Sequence, residues 1–143
     1  MDKIDKRILD HLYENGRDKI SAISAKLGIP RATIFERIRK MKEEEVIRKF
    51  TVMVDYEKLG MNVQAYVLIT FNTRSGTDQR TLSLNLARMS NVISVSIISG
   101  DWDIMMHVVA QNMRDLSSMV LEKLRNMDGV ERTQTLTIFE SVK

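Results

Sequence analysis

The 143-residue chain has no cysteine, one proline and two histidines, and each scarcity removes a class of chemistry. Without thiols there are no disulfides, thiolate metal sites or cysteine nucleophiles, a pattern suited to a reducing compartment. His11 and His107 alone leave little from which to build a zinc site or a histidine-based triad. No catalytic residues, no metal ligands and no cofactor are therefore expected, and the chain is read as a non-enzyme. Apolar runs are short, and none approaches the roughly 18 residues of a membrane span. The opening MDKIDKRILD lacks the apolar core of a secretory signal, so a cytoplasmic protein is expected. What is present is a globular balance, 43% hydrophobic and 29% charged, sufficient for one domain or two small ones.

The net charge of +3 is modest, but its distribution is uneven. Residues 1–50 hold 13 Lys and Arg against 9 Asp and Glu, a net +4, while residues 51–143 carry −1. The excess gathers in one segment, where Arg31, Arg37, Arg39, Lys40 and Lys42 oppose Glu36 alone. Cationic charge on one short element is the footprint of nucleic-acid contact, although a solvated helix face would look the same.

Apolar spacing predicts three helices in the first half. Ile4, Ile8, Leu9 and Leu12 form one stripe over residues 2–14, closed by Asn15-Gly16, which tolerate a left-handed conformation. A second helix over Ile20–Leu27 buries Ile20, Ile23 and Leu27. Gly28-Ile29-Pro30 turns the chain, with Pro30 suited to the first helical position of the next segment. A third helix over Arg31–Glu44 buries Ile34, Ile38 and Met41 and exposes Arg31, Thr33, Glu36, Arg39 and Lys40. Two helices joined by a short Gly-containing turn, over about residues 20–39, form a helix-turn-helix pattern. Val46–Val52 reads as an extended stretch able to form a wing, completing a DNA-binding domain over 1–54. The polar segment 55–62 reads as a linker.

From residue 63 the period changes to two. Val63–Asn72 alternates, with Val63, Ala65, Val67, Ile69 and Phe71 on one face. Thr77–Ser90 reads as a helix by its length. Val92–Ile98 is a strand with Ile93, Val95 and Ile97 set against Ser94 and Ser96. Gly100–Asp103 turns the chain into a strand over Ile104–Ala110, with Ile104, Met106 and Val108 on the core side. Asn112 opens a helix with Met113, Leu116, Val120, Leu124 and Met127 at helical spacing, closed by Asp128-Gly129. A last strand spans Val130–Val142, with Leu136 and Ile138 on one face and Thr133, Thr135 and Thr137 on the other. The order strand-helix-strand-strand-helix-strand is a ferredoxin-like split βαβ over 63–143, so the class is α+β. Helices cover one face of such a sheet. The other is expected to carry Ser94, Ser96, Met105, His107, Val109 and the three threonines, and to pack against a second copy.

These motifs, in this order, resemble the Lrp/AsnC (feast/famine) family. Asp2-x-x-Asp5-x-x-Ile8-Leu9, Asn15-Gly16-Arg17, Leu27-Gly28, Arg37-Ile38 and Val46-Ile47 are similar to its N-terminal signature. Gly100-Asp101-Trp102-Asp103 resembles its Gly-x-aromatic-Asp loop. Val130-x-x-Thr133-x-Thr135 and Glu140-Ser141-Val142-Lys143 resemble its last strand. Two departures stand out: Pro30 where the family usually has a capping Ser, and Glu45 where it usually has Gly.

The resemblance implies a nucleoid-associated transcriptional regulator. Its C-terminal (RAM) domain would dimerise through the sheets, and dimers would assemble into tetramers or octamers. A small effector, usually an amino acid, would bind between dimers near Gly100–Asp103 and the strand bearing Thr133 and Thr135. On double-stranded DNA, Arg31, Thr33 and Glu36 are placed to reach base edges, while Arg37, Arg39 and Lys40 are suited to phosphates. A dimer would match a pseudo-palindrome with half-sites one turn or a multiple apart. In the loop, glycine permits close backbone approach, and Asp101 or Asp103 could meet an ammonium group. Alternatively, Asp caps backbone N–H groups and Trp102 packs at an interface. Some proteins resembling this family are sirohaem decarboxylases, but a tetrapyrrole with many carboxylates calls for more cations than the nine Lys and Arg after residue 50. A winged-helix interaction module without DNA binding is a further alternative.

Overall fold

Asp2 starts the first helix, because its carboxylate accepts the N–H groups of Ile4 and Asp5 at 2.8 and 3.0 Å. Asp5 returns the bond to the Asp2 N–H at 2.8 Å, completing a capping box. The computed structural model describes residues 1–142, so Lys143 of the C-terminal tetrapeptide lies outside them. The chain divides into two units, the first spanning residues 1–54 and the second beginning at Asp55.

The first unit consists of α1 (Lys3–Glu14), α2 (Ile20–Leu27) and α3 (Arg31–Glu43). Ile8, Ile23, Ile29, Ile34 and Met41 are buried at their centre, with Ile4, Leu9, Leu12 and Ile38 half-buried around them. Two helix ends differ from expectation. Asn15 stays at φ −132°, and α1 closes by the Asn15 N–H and side-chain amide binding the His11 carbonyl rather than by a left-handed residue. Pro30 is the N-cap of α3, not its first residue, and supplies no side-chain oxygen. Gly28 does adopt the left-handed form at φ 66°. So does Glu45, at φ 56°. No strand forms over residues 46–54: the stretch after α3 finds no ladder partner, so a paired wing strand is absent among the described residues.

In the second unit, residues 55–62 contain a short 3₁₀ turn at Glu57–Leu59. Strands β1 (Val63–Phe71), β2 (Val92–Ile97), β3 (Ile104–Ala110) and β4 (Val130–Ile138) form an antiparallel sheet in the order β2-β3-β1-β4. Helix α4 (Gln79–Ala87) and a second helical segment starting at Met113 bury Leu82, Leu86, Leu116, Met119, Val120 and Leu124 against Ala65, Val67, Ile69, Ile104, Met106 and Val108.

Three pattern-based assignments change. A bulge between Val92 and Ser94 puts Val92 opposite buried Val108, so Val92 packs against the core and Ile93 is left exposed. The segment after Asn112 is not a uniform helix: α5 (Met113–Ser118) passes into a π turn over Met119–Lys123 and a 3₁₀ turn over Leu124–Asn126. Leu116, Val120 and Leu124 lie four apart, longer than the 3.6-residue repeat, so one wider turn keeps all three on the sheet. Met113 falls outside that face and is exposed.

The third change concerns β4, which ends at Ile138 rather than Val142. Thr133, Thr135 and Thr137 pair with the core-facing Ile69, Val67 and Ala65. Directly opposed residues share a face, so the threonines lie on the helix side, not the open side. Arg125, from the helical side, donates to the Thr133 hydroxyl at 3.3 Å. The open face instead carries Gln64, Tyr66 and Leu68 of β1, Met105 and His107 of β3, and Gln134 and Leu136 of β4.

Candidate functional site

Helix α3 presents the cationic face. Arg31, Glu36, Arg39 and Lys40 are exposed and Thr33 is half-buried, because Ile34 and Met41 orient the helix towards the core. Glu36 holds Arg39 at 2.6 Å, Glu43 lies 3.8 Å from Arg39, and Glu44 lies 3.7 Å from Lys40. Such exposed pairs are worth little in water, so both cations can exchange partners at small cost.

Arg37 has a different place from the one its residue type suggested. Its guanidinium lies 2.7 Å from Asp2 and 3.2 Å from Asp5, tying α3 to the N-terminus of α1. The Asp5 N–H, aided by Arg37 and the Ile4 N–H, holds the Asp2 carboxyl below its usual value, while Asp2 raises the Arg37 pKa. The Asp2-x-x-Asp5 and Arg37 motifs therefore form one structural clamp. Arg37 is thus already ion-paired within the first unit.

Phe35 escaped the pattern reading, yet is exposed on α3. It lines a recess of about 540 Å³ with Ile20, Ile38, Arg39, Lys42 and Phe50. The signal was available: Phe35 lies one turn from both Arg31 and Arg39 and between core positions 34 and 38.

In the second unit, the Gly100–Asp103 loop joins β2 to β3 beside the end of β1. Gly100 has φ 118°, a conformation suited to glycine. Asp103 is committed to the scaffold: its carboxylate accepts the Phe71 N–H at 2.7 Å, its N–H donates to Ile69, and its carbonyl accepts from Ile98 and Gln79. Asp101 is exposed. The Arg132 guanidinium lies 4.6 Å from the Trp102 ring centroid, a cation–π contact. Arg132 pairs across strands with Thr70, whose buried hydroxyl has no partner among the described residues. Thr133 is opposite Ile69 and hence at the same end of the sheet as the loop, whereas Thr135 lies two residues farther along.

On the open face, His107 and Gln64 side chains are 3.2 Å apart, and the Tyr66 and His107 rings are centred 5.0 Å apart. Burial lowers the His107 pKa from its ordinary value of 6.5. Among the described residues no cluster of His, Cys, Asp and Glu could hold a metal ion, and no helix is long and apolar enough to cross a membrane.

A helix-turn-helix unit followed by a split βαβ sheet defines the class: an α+β helix-turn-helix transcriptional regulator. Residues 1–48 match the winged helix-turn-helix DNA-binding family, and residues 64–143 match the Lrp/AsnC ligand binding domain. The chain belongs to the Lrp/AsnC family of transcriptional regulators. An HTH-type transcriptional regulator of Pyrococcus horikoshii is 39% identical over 143 residues, covering 100% of this chain and 95% of the relative. The fold is similar to that of E. coli AsnC, with TM-score 0.85, 23% identity and coverage of 100% and 95% of the two chains. It is also similar to a Neisseria meningitidis regulator solved as an L-Met complex, with TM-score 0.88, 20% identity and coverage of 100% and 92%.

Proposed function

We propose that α3 reads the major groove of promoter DNA and that the second unit makes this binding depend on a small effector. The observation that carries the reading is the outward cationic face of α3, whose Arg39 and Lys40 are held only by exposed ion pairs. Arg31, Thr33 and Glu36 face base edges near the start of the helix, and Phe35 adds an apolar surface suited to a thymine methyl. Arg39 and Lys40 neutralise phosphates, with Lys42 beside them. Arg37 supports the reading helix from behind through Asp2 and Asp5.

The dimer forms through the open sheet face, where Tyr66 and Leu136 are 38% and 44% exposed beside half-buried Leu68 and Met105. That surface is more apolar than a face meant for water. Two copies so joined match a pseudo-palindromic site, and dimers assemble further into tetramers or octamers. The effector is an amino acid held between dimers near Gly100, Asp101 and Trp102, with Thr133 and Thr135 on the neighbouring strand. Asp101 supplies a free carboxylate for its ammonium group, and Asp103 holds the loop in place.

The test is a mobility shift on DNA upstream of the gene, at two salt concentrations, with and without each of the twenty amino acids. Replacing Arg31, Arg39 and Lys40 together should abolish the shift; unchanged affinity would sink the DNA assignment. Arg31→Ala or Thr33→Ala should change sequence preference by ~1–3 kcal/mol per base contact. A thermal shift with none of the amino acids would remove the effector part. Sedimentation of the chain as a monomer would remove the dimer.

A further inference from the structure

A recess of about 520 Å³ opens in the second unit, away from the Gly100–Asp103 loop. It lies where α4 leads into β2 and β3 into α5, at the end of the sheet where Val63 pairs with Ala110. The loop lies where Ile69 pairs with Ile104. Six residues of strand separate these pairs, about 20 Å.

Its lining contains three of the chain's ten methionines, Met61, Met89 and Met119. Thioether side chains are flexible and polarisable, and adapt to flat or branched apolar groups. Around them stand the Asn91 and Gln111 amides and the Lys123 ammonium. Among the described residues, Lys123 forms no ion pair and these two amide nitrogens donate no hydrogen bond. Asp115, on the same rim, is already engaged by the Asn112 amide at 3.0 Å. The polar groups are thus one cation, two neutral donors and the Asp115 carboxylate, whose charge the neutral Asn112 amide leaves in place, beside three thioethers.

The π turn explains how Lys123 reaches this rim. In an unbroken α-helix Lys123 would stand about 80° round the axis from Asp115. The wider turn over Met119–Lys123 reduces that rotation and returns Lys123 to the face of Asp115 and Met119. The turn that keeps Leu116, Val120 and Leu124 on the core also brings Lys123 to the recess that the methionines line.

We propose that this recess binds a small organic carboxylate with an apolar body, of the 2-oxo acid or amino acid type, independently of the Gly100–Asp103 loop. The carboxylate meets Lys123 and the Asn91 and Gln111 amides, while the body lies on Met61, Met89 and Met119. Asp115 distinguishes the two sources, because only an α-ammonium group gains from its carboxylate.

The full chain, labelled with ¹³C-methyl methionine, is titrated with phenylpyruvate, phenylalanine and phenethylamine. Either carboxylate should move the Met61, Met89 and Met119 methyl signals saturably and leave Met41 and Met53 in place. Phenethylamine should not. Lys123→Gln, an exposed change, should weaken binding about tenfold or more. Trp102→Ala should leave it unchanged, which separates this site from the loop. Preference for phenylalanine that disappears in Asp115→Asn identifies an amino acid; tighter binding of phenylpyruvate identifies a 2-oxo acid. Absence of saturable shifts with both carboxylates, equal binding of phenethylamine, or undiminished affinity in Lys123→Gln overturns the proposal.

Discussion

Asp103 holds the loop as a scaffold acceptor, and removing it has a calculable consequence. Asp103→Ala deprives the Phe71 N–H of a carboxylate oxygen at 2.7 Å. A hydrogen bond to a charged group contributes roughly 1.5–3 kcal/mol. Asp103 is only half-buried, and water can partly replace the lost oxygen, so the lower end applies. The expected destabilisation of the second unit is about 1.5 kcal/mol. Asp103→Asn keeps an acceptor and loses only the charge, for about 0.5–1 kcal/mol. Asp101→Ala removes an exposed side chain and stays within about 0.5 kcal/mol of wild type. Trp102 is the chain's one tryptophan, so its fluorescence follows urea unfolding of the second unit alone. With a slope near 1–2 kcal/mol/M, the Asp103→Ala midpoint should fall by about 1 M at fixed protein concentration. Asp101→Ala should keep its midpoint and lose the amino-acid-induced shift. A midpoint for Asp103→Ala equal to wild type, or asparagine as damaging as alanine, would refute the scaffold argument.

Further outcomes follow from other contacts. Arg37→Gln should lower the helix melting temperature of the first unit, read by far-UV circular dichroism, and leave the salt slope of DNA binding intact. Arg39→Ala should reduce that slope by about one while sparing stability. Glu45→Gly relieves a left-handed residue at φ 56° but adds freedom to the unfolded chain, for a net gain of about 0.5 kcal/mol in a thermal melt; Glu45→Ala should give no gain. His107 is held below its ordinary 6.5 by burial, so the unfolded state binds the proton more readily. Stability of the second unit is then full above pH 6.5 and declines as pH falls through 6.5 towards the lower folded value. His107→Gln should flatten that decline in urea midpoints taken between pH 5 and 8.

Helix spacing carried most of the first unit, because Ile8, Ile23, Ile34 and Met41 recur where a 3.6-residue repeat can bury them. Alternation likewise placed Ala65, Val67, Ile69, Ile104, Met106 and Val108. The pattern failed where geometry departs from a regular period. One bulged residue exchanged Val92 for Ile93, and a π turn replaced the uniform helix while Leu116, Val120 and Leu124 stayed buried. The threonines of β4 alternate as any strand would, and alternation alone cannot say which side the helices cover. Pairing of Thr133 with Ile69 decides it.

The site shows the same division. Charge and order within the sequence determined that α3 is cationic outward and that a Gly-Asp-Trp-Asp turn joins two strands. Those properties depend on residue type and local spacing. Tertiary structure decided which cations are free and which acids are spent, because partners are brought together from distant positions. Arg37 reaches Asp2 across 35 residues, and Asp103 reaches Phe71 across 32. A charge read along the chain is only a capacity; the folded neighbours determine whether it binds a ligand or holds the fold.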